Sequence, residues 1–181
     1  MQKKIILASG SPRRIELLTR MGITFEVDAA DVDETASGDA PSVVRMLAQR
    51  KAMAVAARHP DGVVLAADTV VDCDGILGKP TDAADAHRML RALSGRWHAV
   101  YTGVCTIYKK QIHCEVAISR VHFIDLSDGD IARYIATGDP MDKAGAYGIQ
   151  GMAGMFIDEI NGCPHNVMGL PMALVKRLLA V

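Results

Sequence analysis

The sequence predicts a mixed α/β fold, a twisted sheet flanked by helices, in one domain with either a single core or two lobes around a cleft. Three observations predict it. Through the first half of the chain, apolar runs short enough for buried strands alternate with stretches whose apolar residues recur at helical spacing. In the second half, two β-rich stretches around Lys109-Lys110 insert what is most simply an antiparallel hairpin. The 181 residues suffice for one sizeable core or two small lobes about a groove. No internal repeat, low-complexity tract or linker-like segment divides the chain, so residues 1–181 read as a single domain.

Each element has its own local reason. Ile5 to Ala8 is a short apolar run ending in a Ser/Gly turn, which suits a buried first strand. Ser11 is a natural N-cap and Pro12 fits the first helical position; Ile15, Leu18 and Met21 follow at helical spacing, and Gly22 supplies the stop. A polar stretch from Asp28 to Ser42 carries Asp31, Asp33, Glu34 and Asp39. Val44, Leu47, Ala48, Lys51 and Val55 then share one helical stripe, which His59-Pro60-Asp61-Gly62 terminates. The run VVLAADTVV, Val63 to Val71, fits a central strand. After the Asp74-Gly75 turn, Ile76-Leu77 leads into Gly78-Lys79-Pro80, and a helix spans about Asp82 to Leu93 before Ser94-Gly95. Trp97 to Ile124 holds the hairpin. Ser127 with Asp130 resembles a capping box for a short helix ending at Gly138. Beyond the Gly-rich AGAYGIQGMAG, Phe156 to Ile160 reads as a strand, and a last helix starts near Pro171.

Composition narrows the function classes. Formal net charge is −1, so no global field draws the chain to nucleic acid or an anionic membrane surface. Aromatic residues are 4% of the chain, which leaves few platforms for base stacking. Any phosphate recognition must therefore be local. The four cysteines, Cys73, Cys105, Cys114 and Cys163, contain no C-x-x-C pair, and the six histidines form no H-x-x-x-H motif, which argues against a zinc site. Reduced thiols in a cytoplasmic protein are the expectation. The segment MQKKIILASGSPRR lacks the long apolar region of a signal peptide, and no run approaches membrane-spanning length.

The first helix opens with Arg13 and Arg14, where helix physics favours carboxylates. Cations at the positive end of the macrodipole cost roughly 0.3–1 kcal/mol each unless an anion answers them. Free backbone N–H groups, a serine-rich turn and two guanidinium forks together suit a phosphate-sized anion. The same residues also suit an exposed helix start whose arginines face water. Asp68 interrupts the most apolar strand, and a buried carboxylate needs a cation, a metal or several donors. Lys51 lies on the apolar stripe of the preceding helix, so the two form either a structural ion pair across one layer or part of a site. Glu34 lies in the loop DVDET, and Lys79 between Gly78 and Pro80. The chain lacks G-x-x-x-x-G-K-[ST] and G-x-S-x-G, which excludes a P-loop protein and leaves Ser9 and Ser11 poor esterase nucleophiles. Cations at Arg13, Arg14, Lys51, Lys79 and Lys143 beside two isolated acids suit a polyphosphate with its divalent ion, and water activated by a carboxylate and a metal is the economical chemistry.

These motifs in order, LASGSPRRIELL, VDET, AQRKA, AADTVV, GKP, SGRWHAVYTGV and GDPMDKAGAYGIQG, resemble the Maf family, nucleoside triphosphate pyrophosphatases also called septum formation proteins. The likeness runs from near the N-terminus through NVMGLP. It implies an α/β fold similar to inosine triphosphate pyrophosphatase, a dimer, and hydrolysis of a nucleoside triphosphate to a monophosphate and pyrophosphate with Mg²⁺ or Mn²⁺. On the resemblance, Asp68 matches the proton acceptor, Ser9, Ser11, Arg13 and Arg14 the phosphate-binding turn, and Lys51 and Lys79 further active-site positions. Glu34 then joins Asp68 as a metal ligand. Arg13, Thr69 and Gln150 match positions that separate subfamilies by substrate, and their identity here resembles the branch acting on dTTP and UTP. The segment NGCPHNVMGLP departs from the family pattern, with Cys163, Pro164 and His165 where a more aromatic or acidic stretch is expected. The alternative function is a nucleotide-binding regulator of cell division in which hydrolysis is incidental; a phosphatase releasing orthophosphate from the γ position is a second.

Overall fold

A computed structural model describes residues 4–180; the first three residues of the N-terminal segment read above, and Val181, lie outside them. Among the described residues seven strands make one mixed sheet in the order β2-β1-β3-β5-β6-β7, with β4 on β3. In chain order these are β1 (Ile5–Leu7), β2 (Phe25–Val27), β3 (Val63–Asp72), β4 (Ile76–Leu77), β5 (Trp97–Tyr108), β6 (Gln111–Phe123) and β7 (Ile157–Asn161). The helices are α1 (Pro12–Arg20), α2 (Ala40–Ala56), α3 (Ala83–Leu93), α4 (Asp128–Ala136), α5 (Pro164–Val167) and α6 (Met172–Leu179). The mixed α/β class is therefore as the sequence predicts. Among the described residues no helix is long and apolar enough to cross a membrane.

The chain forms two compact units. The first combines the residues up to Thr69, Thr102–Ala117 and those from Gly169 on; the second combines Val70–Tyr101 and Ile118–Met168. In the first unit, β1 pairs in parallel with β2 on one side and with β3 on the other. Ile6, Ala8, Val64 and Ala66 pack on the buried stripe of α2, Ala48, Ala52 and Val55, with Cys105 and Ile107 of β5. Asp39 caps α2 by accepting from the Ser42 N–H at 2.9 Å. Gly103 lets that helix lie close on β5: a Cβ built there would stand 2.3 Å from the Val44 carbonyl oxygen.

The second unit has its own core, in which Leu90 and Leu93 of α3, Val121 and Phe123 of β6, and Ile131 and Tyr134 of α4 are buried together. The capping box forms as read: Asp130 N–H donates to Ser127 Oγ at 3.1 Å, and Ser127 N–H to Asp130 Oδ2 at 3.2 Å. The Gly-rich segment folds into short 3-10 turns at Ala144–Ala146 and Met152–Phe156. In the segment that departs from the family pattern, Cys163 takes the N-cap position of α5 and Pro164 its first turn.

The hairpin revises one expectation. Lys109 and Lys110 both take positive φ, 47° and 68°, which marks a two-residue turn of the type that joins antiparallel strands. Counting back from Tyr108 and Gln111 places Cys105 opposite Cys114 at a non-hydrogen-bonded position, where facing Cα atoms lie closest. Their Cα atoms are 4.1 Å apart and their sulfurs are bonded, so these two thiols are not reduced. Cys73 and Cys163 are free thiols.

Candidate active site

Of the residues singled out by charge, Arg13, Arg14, Glu34, Lys51 and Asp68 lie in the first unit, where its parallel strands run out. Leu7 of β1 stands beside Leu65 of β3, and the Ala8 N–H donates to the Leu65 carbonyl at 2.8 Å. There β1 ends while β3 continues through Asp68. The chain leaves β1 for β2 on one side and returns through α2 to β3 on the other, which makes the β1–β3 boundary a topological switch point. In open α/β sheets ligands bind outside the carboxyl ends of strands at such a point.

Alternation along β3 sends Asp68 to the same face as Val64 and Ala66, the face that α2 covers. Lys51 sits on the buried stripe of α2, and its Nζ lies 2.6 Å from Asp68 Oδ1 and 2.8 Å from Glu34 Oε1. Lys51 and Asp68 are each 9% exposed at the side chain, whereas Glu34 is 56% exposed. One ammonium thus joins a buried acid to an accessible one. The Glu34 loop is held by the residue before Lys51: Arg50 Nη1 donates to the Asp33 and Thr35 carbonyls, while Asp33 Oδ1 accepts from the Thr35 N–H at 2.8 Å.

Thr69 follows Asp68 and points to the other face, where α1 supplies Arg14. Arg14 Nε donates to the Gly169 carbonyl at 2.9 Å, Nη1 to Ser9 Oγ at 3.2 Å and Nη2 to Thr69 Oγ1 at 3.2 Å. Gly169 has φ +96°, a left-handed conformation that turns its carbonyl toward the guanidinium at the cost of any ordinary side chain. Burial pulls the Arg14 pKa down; the Asp68 carboxylate opposes that, Arg13 adds to it and Glu34 opposes it. The guanidinium stays charged throughout. Ser9 is buried and also accepts from the Ser11 N–H at 3.3 Å. Ser11 occupies the N-cap position of α1, but its hydroxyl makes no capping bond. Arg13 is half-buried in the first helical turn.

Ser9, Arg14, Glu34, Lys51, Asp68 and Thr69 are thus brought together in the first unit. Lys79 and Gln150 belong to the second, both exposed, in the loop after β4 and in the Gly-rich segment. Lys143 departs from the anion-binding expectation: its ammonium donates to the Asp139 carbonyl at 2.5 Å, Asp139 Oδ1 at 2.9 Å and Asp142 Oδ1 at 2.7 Å. These bonds use its three donors. Sequence reasoning passed over Gly169 and Thr102. Gly169 lies 155 residues from Arg14 and carries no local signal; Thr102, a hydroxyl in the apolar end of a strand, does carry one.

The family model for Maf-like proteins matches residues 4–181. The chain belongs to the Maf family. Among its relatives, a dTTP/UTP pyrophosphatase of Dictyoglomus thermophilum is 45% identical over 185 residues, covering 99% of this chain and 96% of that protein. A second, from Pelotomaculum thermopropionicum, is 48% identical over 182 residues, covering 98% and 95%. Among solved structures, a HAM1 protein from Coxiella burnetii aligns over 99% of both chains with a TM-score of 0.53 at 15% identity, a likeness of fold. Within the Maf fold, the Asp68–Lys51–Glu34 cluster and the clamped Arg14 lie in a single unit.

Proposed function

We propose that this Maf protein hydrolyses nucleoside triphosphates, dTTP, UTP and related pyrimidine nucleotides among them, to a nucleoside monophosphate and pyrophosphate. The observation that carries the reading is the Asp68 carboxylate, buried at the end of an apolar strand pair with one oxygen held by Lys51. Asp68 is the group that takes the proton from the attacking water, while Lys51 keeps it in place and balances its charge. The bond from water oxygen to phosphorus forms as the bond between the α- and β-phosphates breaks, and pyrophosphate leaves. Arg14 has five N–H donors, three of them given to Gly169, Ser9 and Thr69; the two that remain, one on each terminal nitrogen, form a fork suited to a phosphate oxygen pair.

Asp68 and Glu34 offer hard oxygen donors on either side of Lys51. Among the described residues no group of three His, Cys, Asp or Glu could hold a metal alone. That donor set fits Mg²⁺ or Mn²⁺ held by one or two carboxylates together with substrate phosphates. Such an ion, when bound, supplies neutralisation of phosphate charge. In this proposal Lys79, with Lys51, neutralises charge on the leaving pyrophosphate, and Gln150 reads the uracil or thymine edge.

The test is a panel of nucleoside triphosphates with Mg²⁺ or Mn²⁺, in which pyrophosphate and orthophosphate are assayed separately. Metal-dependent pyrophosphate release with dTTP and UTP is the expected result. Orthophosphate alone, or no release with any nucleotide, overturns the reading. The Asp68→Asn variant should lose nearly all turnover while still binding nucleotide; turnover equal to the parent would remove Asp68 from its role.

A further inference from the structure

Behind Thr69 lies a second hydroxyl. Thr102 of β5 is fully buried, and its Oγ1 lies 3.0 Å from Thr69 Oγ1. Thr69 Oγ1 in turn accepts from Arg14 Nη2 at 3.2 Å. A threonine hydroxyl has one proton and two lone pairs, and its hydrogen position rotates unless partners fix it. Thr69 is only half-buried, so without a second partner its side chain can settle in another staggered rotamer and turn away from Arg14.

We propose that Thr102 is a positioning residue for phosphate anchoring, acting through Thr69 on the guanidinium of Arg14. The chain runs from the buried strand to the charged fork: Thr102 fixes the Thr69 rotamer, Thr69 fixes one terminal nitrogen of Arg14, and Ser9 and Gly169 fix the rest of that group. The plane of the guanidinium, and with it the direction of its two remaining donors, is set by all three contacts together. This inference rests on the nucleotide-hydrolysing function proposed above. It adds that the Thr69 hydroxyl is engaged in holding an anion-binding group, so its loss weakens the triphosphate whatever base is attached.

The test compares Thr102→Val, which keeps the shape and removes the hydroxyl, with Thr102→Ser, which keeps the hydroxyl. Kinetics are measured with dTTP and UTP, and inhibition with inorganic pyrophosphate. The expected result is a KM about ten-fold higher for both nucleotides in Thr102→Val, as for loss of one hydrogen bond to a charged group. The pyrophosphate inhibition constant should rise in parallel, kcat should change little, and Thr102→Ser should restore the parent values. The double variant Thr69→Val/Thr102→Val should bind no worse than Thr69→Val alone, because Thr102 reaches Arg14 through the Thr69 hydroxyl. An unchanged KM, a change confined to one nucleotide, or an additive double variant each overturns the proposal. If the valine variant does not fold, Thr102→Ala and Thr102→Ser carry the same comparison, with melting curves as the control. A parent without pyrophosphate release removes the underlying function and this proposal with it, whereas an active parent with an indifferent Thr102→Val removes this proposal alone.

Discussion

A lysine ammonium held between two carboxylates, with its stem on a helix face packed against a sheet, cannot be deleted without consequence for its partners. In Lys51→Met the apolar stem is kept, but Asp68 stays buried without its cation at 2.6 Å. Breaking a buried pair from one side costs about 3–5 kcal/mol, and a fall of that size in denaturant-derived stability is the expected outcome; a loss below 1 kcal/mol would mean that water reaches Asp68. Glu34→Gln removes the exposed partner and should cost far less, because its side chain is more than half exposed. At this scale the site was partly legible. Lys51 and Asp68 stood out because each places a charge in an apolar pattern. The Gly169 arm of the clamp on Arg14 did not, since a hydrogen bond to a backbone carbonyl depends on chain geometry and leaves no residue type to read.

Among the elements, α2 matters most to the site because it carries both Arg50, which holds the Glu34 loop, and Lys51. Its seat on β5 is set by Gly103, where an added Cβ would also come within 2.5 Å of the Val44 carbonyl carbon and 2.9 Å of the Arg45 nitrogen. These are backbone atoms, so no side chain can rotate aside. Gly103→Ala should lower stability by about 1–3 kcal/mol and reduce turnover, measured by denaturant melts and pyrophosphate release. A variant as stable and active as the parent would show that the helix can shift freely. Periodicity and punctuation made α1, α2, β3 and the hairpin legible. β2 went unread: three residues, Phe25–Val27, with two of them exposed, offer neither alternation nor an apolar run. Ser11 takes the N-cap position its identity predicts, although its hydroxyl makes no capping bond.

At the scale of the molecule, stability should depend on pH through the core of the second unit. His98 is 3% exposed, its Nε2 lies 2.7 Å from the Tyr147 hydroxyl, and Phe123 and Tyr147 pack edgewise on its ring. Burial lowers its pKa from 6.5 to about 4; the Arg96 backbone opposes that fall and His122 adds to it. Between those values the unfolded chain binds a proton that the folded chain refuses, so stability drops as pH falls from 6.5 to about 4. The loss by the lower limit is roughly 3 kcal/mol. Melts across this range should show the slope, and His98→Gln should flatten it; an unchanged slope would assign the effect to other groups. The interleaving of the two units was beyond the sequence, since three separate segments make one and two make the other. Nothing local marks where a long strand such as β3 passes from one to the other.

The bond between Cys105 and Cys114 has a topological consequence. It closes the tip of the hairpin into a small covalent ring, with Lys109 and Lys110 at its apex. A single peptide cleavage inside that ring opens the backbone without dividing the molecule. The two resulting pieces, one ending and one beginning in the ring, remain a single mass until a reductant separates them.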